Sequence, residues 1–283
     1  MLILIKKWKG GVGSVVASLS KELQNRGHVV EVISREEDMK INSMIKSIAP
    51  IRRLVCNHES DYDLIYTQDW SMAFPLIFPT RLCKKKHFCC FHGKEDSSLP
   101  LILQKMVGKI LGRRLIVVGD GLKEMFPESN LNYNGVDFEL FKPLRKKIIK
   151  GSVGFVNWKN EEYRYQEIKD ACTALRKKLI IAENISRRKM PEFYGKIETL
   201  ISLPPKYTGF GLTWIEAMGC NVQKIIGNNN GIGSKIEIDK VENFKNIEEA
   251  LKKARPQNYR KKVIKKFSLK NNVDRLLKIM DIS

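Results

Sequence analysis

Short apolar runs alternate with segments of helical periodicity along the whole chain, and this alternation restricts the available folds more than any other feature. In order come "LILI" (2–5), "HVVEVIS" (28–34), "DLIY" (63–66), "HFCCF" (87–91) and "LIVV" (115–118), then "SVGFV" (152–156), "KLIIA" (178–182), "TLISL" (199–203) and "KIIG" (224–227). Each run is short and largely apolar, and each is separated from the next by helix-compatible or loop segments, so strands are expected. Helices between such strands imply doubly wound parallel sheets. The first 35 residues show the unit clearly. A strand leads into a glycine segment (Gly10, Gly11, Gly13), then a helix with Val12, Val15, Val16, Leu19 and Leu23 on one face, then Gly27 where a left-handed stop is wanted.

Turn signals cluster in "NYNGVDFELFKP" (132–143), and the charge run "RKKIIK" follows before the alternation restarts. With 283 residues, enough for two cores, domains over 1–145 and 146–262 are expected. Three helices close the chain near 247–255, 258–266 and 270–280. No window approaches the roughly 18 uninterrupted apolar residues of a membrane span. "MLILIKKWKGG" places its apolar residues before its lysines, the reverse of a secretory signal, so a cytoplasmic location is expected. The six cysteines form no C-x-x-C pair and the histidines no ligand spacing, so free thiols and no bound metal are expected. The net charge is +20, with 25 Lys/Arg against 16 Asp/Glu in residues 1–150 and 26 against 15 beyond them. An excess spread so evenly attracts phosphates of any kind without choosing among them.

Ligands of doubly wound sheets gather beyond the carboxyl ends of the strands, so candidate site residues are those that follow strands. Gly11 and Gly13 follow the first strand and open a helix whose backbone N–H groups an anion can approach; an ordinary strand-to-helix turn would use the same residues. His92 follows "HFCCF", as a site imidazole or as a hydrogen-bonded loop histidine. In "PPKYTGFGLTWIEAMGCN" (204–221), Gly209 and Gly211 flank Phe210, and the N–H groups near Leu212 and Thr213 become the free donors of a new helix suited to a diphosphate. One turn further in, the Glu216 carboxylate is placed to accept from the vicinal hydroxyls of a ribose.

"TGFGLTWIEAMGC" resembles the E-x7-E region of retaining glycosyltransferases of family 4, the group that includes glycogen synthase. "GGVGSVVASLSKELQNRGHVVEVIS", "FHG" and "NGVDFELFKP" resemble that family's glycine loop and helix, histidine strand end and hinge, in the same order. The resemblance implies a GT-B fold, in which two Rossmann-like domains face a central cleft. The first would take the acceptor and the second the nucleotide-sugar donor, with 263–283 returning to the first. It implies that Glu216 binds the donor ribose, that His92 contacts the sugar near the reacting carbon, and that Gly11 and Gly13 lie near the diphosphate and acceptor. Lys159 and Arg164 stand where the family has a basic pair for the leaving diphosphate, in a looser match. Thr208 occupies the place of the first acid of E-x7-E, which puts the identity of the sugar in question.

The implied activity is a retaining, metal-independent hexosyl transfer to the hydroxyl of a glycan, lipid-linked or protein acceptor, with no cofactor and with UDP-, GDP- or ADP-linked donors all open. Two alternatives belong to other classes: a non-catalytic nucleotide- or carbohydrate-binding protein of the same descent, and a glycosyltransferase directed to nucleic acid. The even charge and the lack of basic-aromatic clusters weigh against nucleic acid. "LPLILQKMVGKILGRRL" (99–115) reads as a core helix of the first domain, with a basic amphipathic helix on an anionic membrane as the alternative.

Overall fold

A computed structural model describes residues 1–5, 10–34, 62–77, 80, 85–145, 147–156, 159–205 and 210–282. The chain divides into two compact units, Met1–Asn134 with Asn272–Ser283, and Gly135–Asn271.

The first unit is built on a six-stranded sheet of β1 (Leu2–Ile5), β2 (Glu31–Ser34), β3 (Leu64–Gln68), β4 (Lys86–Phe91), β5 (Leu115–Val117) and β6 (Asn130–Leu131). Its order is β2-β1-β3-β4-β5-β6 and every pairing is parallel. The order reverses between β1 and β3, the kind of place where open α/β sheets bind ligands. All four residues of β1 are buried, as a central strand covered on both faces requires. On one face Leu2, Leu4 and Ile65 pack with Met72 and Leu76. On another, Cys89, Phe91, Leu115 and Val117 pack with Val107, Leu111 and Phe126.

The helix Gly10–Asn25 buries Val15, Val16, Leu19 and Leu23 and stops at Gly27, whose φ of +88° only glycine adopts without strain. At the other end of the chain, the helix Leu269–Met280 buries Val273, Leu276 and Met280. Burial of each such side chain contributes about 1.5–3 kcal/mol, more than the exposed ion pair of Arg26 with Asp274 at 2.5 Å contributes. Asn272 and Arg275 reinforce the attachment, Nδ2 donating to the Tyr133 carbonyl at 2.7 Å and Nε to Asn132 Oδ1 at 3.1 Å.

The second unit carries a five-stranded parallel sheet of β7 (Ser152–Phe155), β8 (Lys178–Ile181), β9 (Thr199–Ile201), β10 (Lys224–Gly227) and β11 (Asp239–Lys240), in the order β11-β10-β9-β7-β8. Here the order reverses between β7 and β9. Val153, Phe155, Ile201 and Ile226 form its core with Ile168, Ala171 and Cys172 of the helix Tyr165–Ala174 and with Ile247, Ala250 and Leu251 of Ile247–Lys253. The helix Arg260–Phe267 packs on Leu212–Gly219, and Arg260 Nη1 donates to the carbonyls of Gly219 and, at 3.1 Å, Phe141. A cation there satisfies acceptors that a helix C-terminus leaves orphaned.

Two α/β units with parallel sheets are what the alternation of runs predicts. The two-residue strands β6 and β11 and the short helices Trp70–Ala73 and Asp120–Met125 are additions. Segment 99–115 is a core helix, Ser98–Leu111, that buries Gln104, Val107, Gly108 and Leu111.

Candidate functional site

In the first unit the candidate residues lie at the carboxyl edge of β1, β3 and β4. Gly11 and Gly13 fall in the first turn of the helix Gly10–Asn25, where backbone N–H groups have no intrahelical acceptor. A Cβ added to Gly11 would meet no heavy atom of the described residues within 4 Å, so glycine is not required there by packing.

His92 follows β4, and its Nε2 is 2.8 Å from Oε1 of Gln68, the last residue of β3. That contact assigns the proton to Nε2 and leaves the Nδ1 lone pair free to accept. Burial lowers the His92 pKa to about 4, so the ring is neutral at pH 7. The residues around it are held firmly. Gln104 Nε2 donates to the Gly93 carbonyl at 2.8 Å and its Oε1 accepts from Glu95 N at 3.1 Å, while Trp70 Nε1 donates to Glu95 Oε1 at 2.7 Å. Asp69, immediately after β3, adopts a φ of +90° and caps the helix Trp70–Ala73 by accepting from Trp70 N at 2.6 Å. A non-glycine residue in that region is strained, and such residues cluster at working edges of sheets.

In the second unit, Thr208 and Gly209 lie outside the described residues. Phe210 is buried against Phe267, with ring centroids 5.4 Å apart, and its carbonyl accepts from Ile232 N at 3.1 Å. Gly211, at φ +88°, is the N-cap of the helix Leu212–Gly219 and offers no side chain to its first turn. The N–H groups of Leu212 and Thr213 thus begin a helix at the carboxyl side of β9. Gly211, Gly227 and Gly233 surround the Trp214 indole so closely that a Cβ on any of them would sit 2.9–3.1 Å from its ring.

Glu216 is 6% exposed and does not stand alone. Its Oε1 is 2.9 Å from Arg187 Nη1, and its Oε2 accepts from the Tyr194 hydroxyl at 3.3 Å. The Arg187 contact is one of charge rather than an aligned hydrogen bond, because among the described residues Oε1 lacks a hydrogen-bond partner and so does the buried Arg187 Nε. The Arg187 guanidinium also lies 5.0 Å from the centre of the Phe141 ring. Burial raises the Glu216 pKa, and Arg187 and Tyr194 oppose that rise.

Arg187 was absent from the sequence-level candidates because it stands in "SRRK" (186–189), which reads as a solvated basic run. Its half-buried place depends on Phe141 and Glu216, both far away in sequence.

Lys159 and Arg164 each have an acid of their own. Lys159 Nζ donates to Glu183 Oε2 at 2.7 Å, and Arg164 contacts Glu167 through Nε at 2.9 Å and Nη2 at 2.6 Å. Both pairs are exposed, so water competes with them and they break at little cost. Lys159 and Glu183 follow the adjacent strands β7 and β8, at the same edge as the start of Leu212–Gly219.

The sequence matches no protein-family model, and no curated protein matches it. Solved structures do. The chain is similar over 99% of its length to HepE of Anabaena, solved with UDP and glucose, at 13% identity and a TM-score of 0.70 with 99% of that chain covered. It is likewise similar over 99% of its length to a glycosyltransferase of Rickettsia africae, at 16% identity and 0.76 with 97% covered. Sucrose-phosphate synthase of Thermosynechococcus elongatus stands at 14% and 0.76, covering 99% of this chain and 98% of that one. These likenesses establish the GT-B fold for the chain.

Proposed function

We propose that this protein is a glycosyltransferase of the family 4 type that moves a hexose from a nucleotide-sugar donor to an acceptor hydroxyl with retention and without a metal. The observation that carries this reading is that the described part of the motif, "FGLTWIEAMGC" (210–220), opens the helix Leu212–Gly219 after β9, beside the reversal point of a GT-B sheet. HepE was solved with UDP and glucose, which supports a nucleotide-sugar as the donor.

The donor diphosphate lies at the N–H groups of Leu212 and Thr213, where helix-end partial charge and free donors favour an anion. As the sugar leaves, negative charge grows on the diphosphate. Donors fixed in advance stabilise that charge more than they stabilise the intact donor. Lys159 and Arg164 add positive charge once released from Glu183 and Glu167. By the family resemblance, neutral His92 would accept at Nδ1 from a sugar hydroxyl, and Gly11 and Gly13 would serve the diphosphate and acceptor. The acceptor hydroxyl attacks from the face the nucleotide leaves and passes its proton to the departing diphosphate oxygen, which retains the configuration and needs no second carboxylate.

Glu216 takes the ribose through lone pairs that Arg187 and Tyr194 leave over, since a carboxylate has about four acceptor sites. A thermal-shift screen of UDP-, GDP- and ADP-sugars tests donor binding directly. A donor at about 100 times its Kd stabilises by about 2.7 kcal/mol. No shift with any donor, under conditions where the protein is folded, would remove the reading.

Thr208 in place of an acid weakens the grip on sugar hydroxyls but leaves the diphosphate donors untouched. A hydroxyl offers one oxygen where a carboxylate offers two charged ones, so epimers are discriminated less sharply. Thr208→Glu is expected to leave affinity for the bare nucleoside diphosphate nearly unchanged and to reorder the ranking of nucleotide sugars. Calorimetry on both proteins checks this, and an unchanged ranking would count against the assignment of position 208.

The pairing of Glu216, Lys159 and Arg164 with residues of this same chain favours one second reading, a nucleotide-binding protein without turnover. Binding with no transfer or donor hydrolysis identifies that case.

A further inference from the structure

We propose that the outer face of the helix Ser98–Leu111 is a docking surface for an anionic lipid bilayer. The inference does not rest on the glycosyltransferase reading.

The helix turns Gln104, Val107, Gly108 and Leu111 inward and carries Leu99, Ile102 and Met106 on its other side, 47%, 61% and 40% exposed. Their spacing of three and four residues aligns them in one stripe. Among the described residues the other exposed large apolar side chains are Val29, Leu144 and Ile148, so half of the six belong to this helix. Lys105 and Lys109 run along one flank of the stripe, and Arg113 stands exposed just past its end. The sequence has no Asp or Glu from Ser97 to Gly119.

Beside the lysines lies a groove of about 500 Å³ with Met125, Phe126 and Pro127 in its wall and Glu128 as its acid. Gln104 locks the helix to the backbone at Gly93 and Glu95, so the stripe is presented on a rigid element.

Charge complementarity selects the occupant. A second copy of this face would bring lysine rows together, and like charges across an interface oppose it. A nucleic acid would meet the lysines, but aliphatic Leu, Ile and Met give its bases nothing to stack on. An anionic bilayer satisfies both parts. Leu99, Ile102 and Met106 enter the boundary between headgroups and acyl chains, and Lys105 and Lys109 extend to the phosphates. No helix among the described residues is long and apolar enough to cross a membrane, so the contact lies on the surface.

The test is sedimentation of the full chain with phosphatidylcholine vesicles, with and without phosphatidylglycerol, at moderate salt. Because a net charge of +20 draws any such protein to an anionic surface, the informative variant leaves charge alone. Ile102→Ser with Met106→Ser, both exposed positions, is expected to lower partitioning onto phosphatidylglycerol vesicles by about tenfold or more at unchanged net charge. Lys105→Glu with Lys109→Glu is expected to lower it by at least about thirtyfold, taking about fivefold per basic residue near an anionic surface. Circular dichroism confirms that both variants remain folded.

Failure of the native chain to bind phosphatidylglycerol vesicles would overturn the proposal. So would unchanged binding of the Ile102→Ser, Met106→Ser protein, which would assign the attraction to bulk charge. A lipid-independent dimer abolished by that same pair would assign the face to a second copy and overturn it too.

Discussion

Arg187→Met is expected to destabilise the protein by about 3–5 kcal/mol at pH 8 and by far less near pH 4. Arg187 and Glu216 are both largely withdrawn from water, with side chains 22% and 8% exposed. Removing one member of such a pair leaves a charge without compensation, and the cost is about 3–5 kcal/mol. Methionine keeps an unbranched chain of similar length over Phe141, so packing changes little.

The pH dependence follows from Glu216. Burial already raises its pKa, and Arg187 is the larger of the two influences that hold it down, so the variant's carboxyl titrates higher still. With a folded-state pKa above the unfolded one, the variant matches the native protein best below the unfolded value of about 4.3. It then loses about 1.4 kcal/mol per pH unit as the pH rises toward its folded pKa. Adding Glu216→Gln removes the buried charge and recovers most of the loss. Urea unfolding of the two variants and the native chain at low and high pH measures this. A loss independent of pH would show that Arg187 acts by packing and not by charge.

Trp214→Ala is expected to cost a similar amount, about 3–5 kcal/mol, for an unrelated reason. The indole is fully buried, and the segments around it meet it through glycine backbones at 211, 227 and 233. Glycines have no side chains that could relax into the space left behind, so the cavity persists and the cost falls in the upper part of the range. Trp214 also sits in the first turn of Leu212–Gly219, and its loss loosens the N–H groups assigned to the diphosphate. Stabilisation by nucleotide should fade with it. Trp214→Phe is expected to be much milder, because a ring remains and the indole Nε1, which has no hydrogen-bond partner among the described residues, is removed. Calorimetric unfolding separates the two substitutions, and equal losses from both would contradict the packing account.

The fold could be read from the sequence because strands buried on both faces must be apolar throughout. "LILI", "HFCCF" and "KIIG" satisfy that requirement without any knowledge of their neighbours. Gly27 and Gly211 were legible for a related reason, since both adopt a positive φ that few other residues tolerate. Strands β6 and β11 escaped because two residues carry no periodicity.

At the site, the sequence could place Glu216 on a helix but could not show what faces it. Arg187 and Tyr194 reach it from a segment whose own pattern, "SRRKMPEFY", is that of an exposed turn followed by a short helix. The acid that holds Lys159 is invisible in the same way, because Glu183 belongs to a neighbouring strand end, whereas Glu167 stands only three residues after Arg164. The helix Ser98–Leu111 buries one face in the core, as its first reading expects, while Leu99, Ile102 and Met106 remain outside. A period of 3.6 shows that a helix has faces but not which of them is covered.

The central claim is that the chain transfers sugar from a nucleotide donor, and the most direct measurement is release of nucleoside diphosphate from a panel of UDP-, GDP- and ADP-sugars. The panel is run in excess EDTA and again with magnesium, with and without a broad acceptor set. The account predicts release from at least one donor, faster with an acceptor present and at equal rate in both media. Binding of nucleotide without release from any donor would contradict it and leave a binding protein, while release in magnesium alone would contradict the metal-independent mechanism.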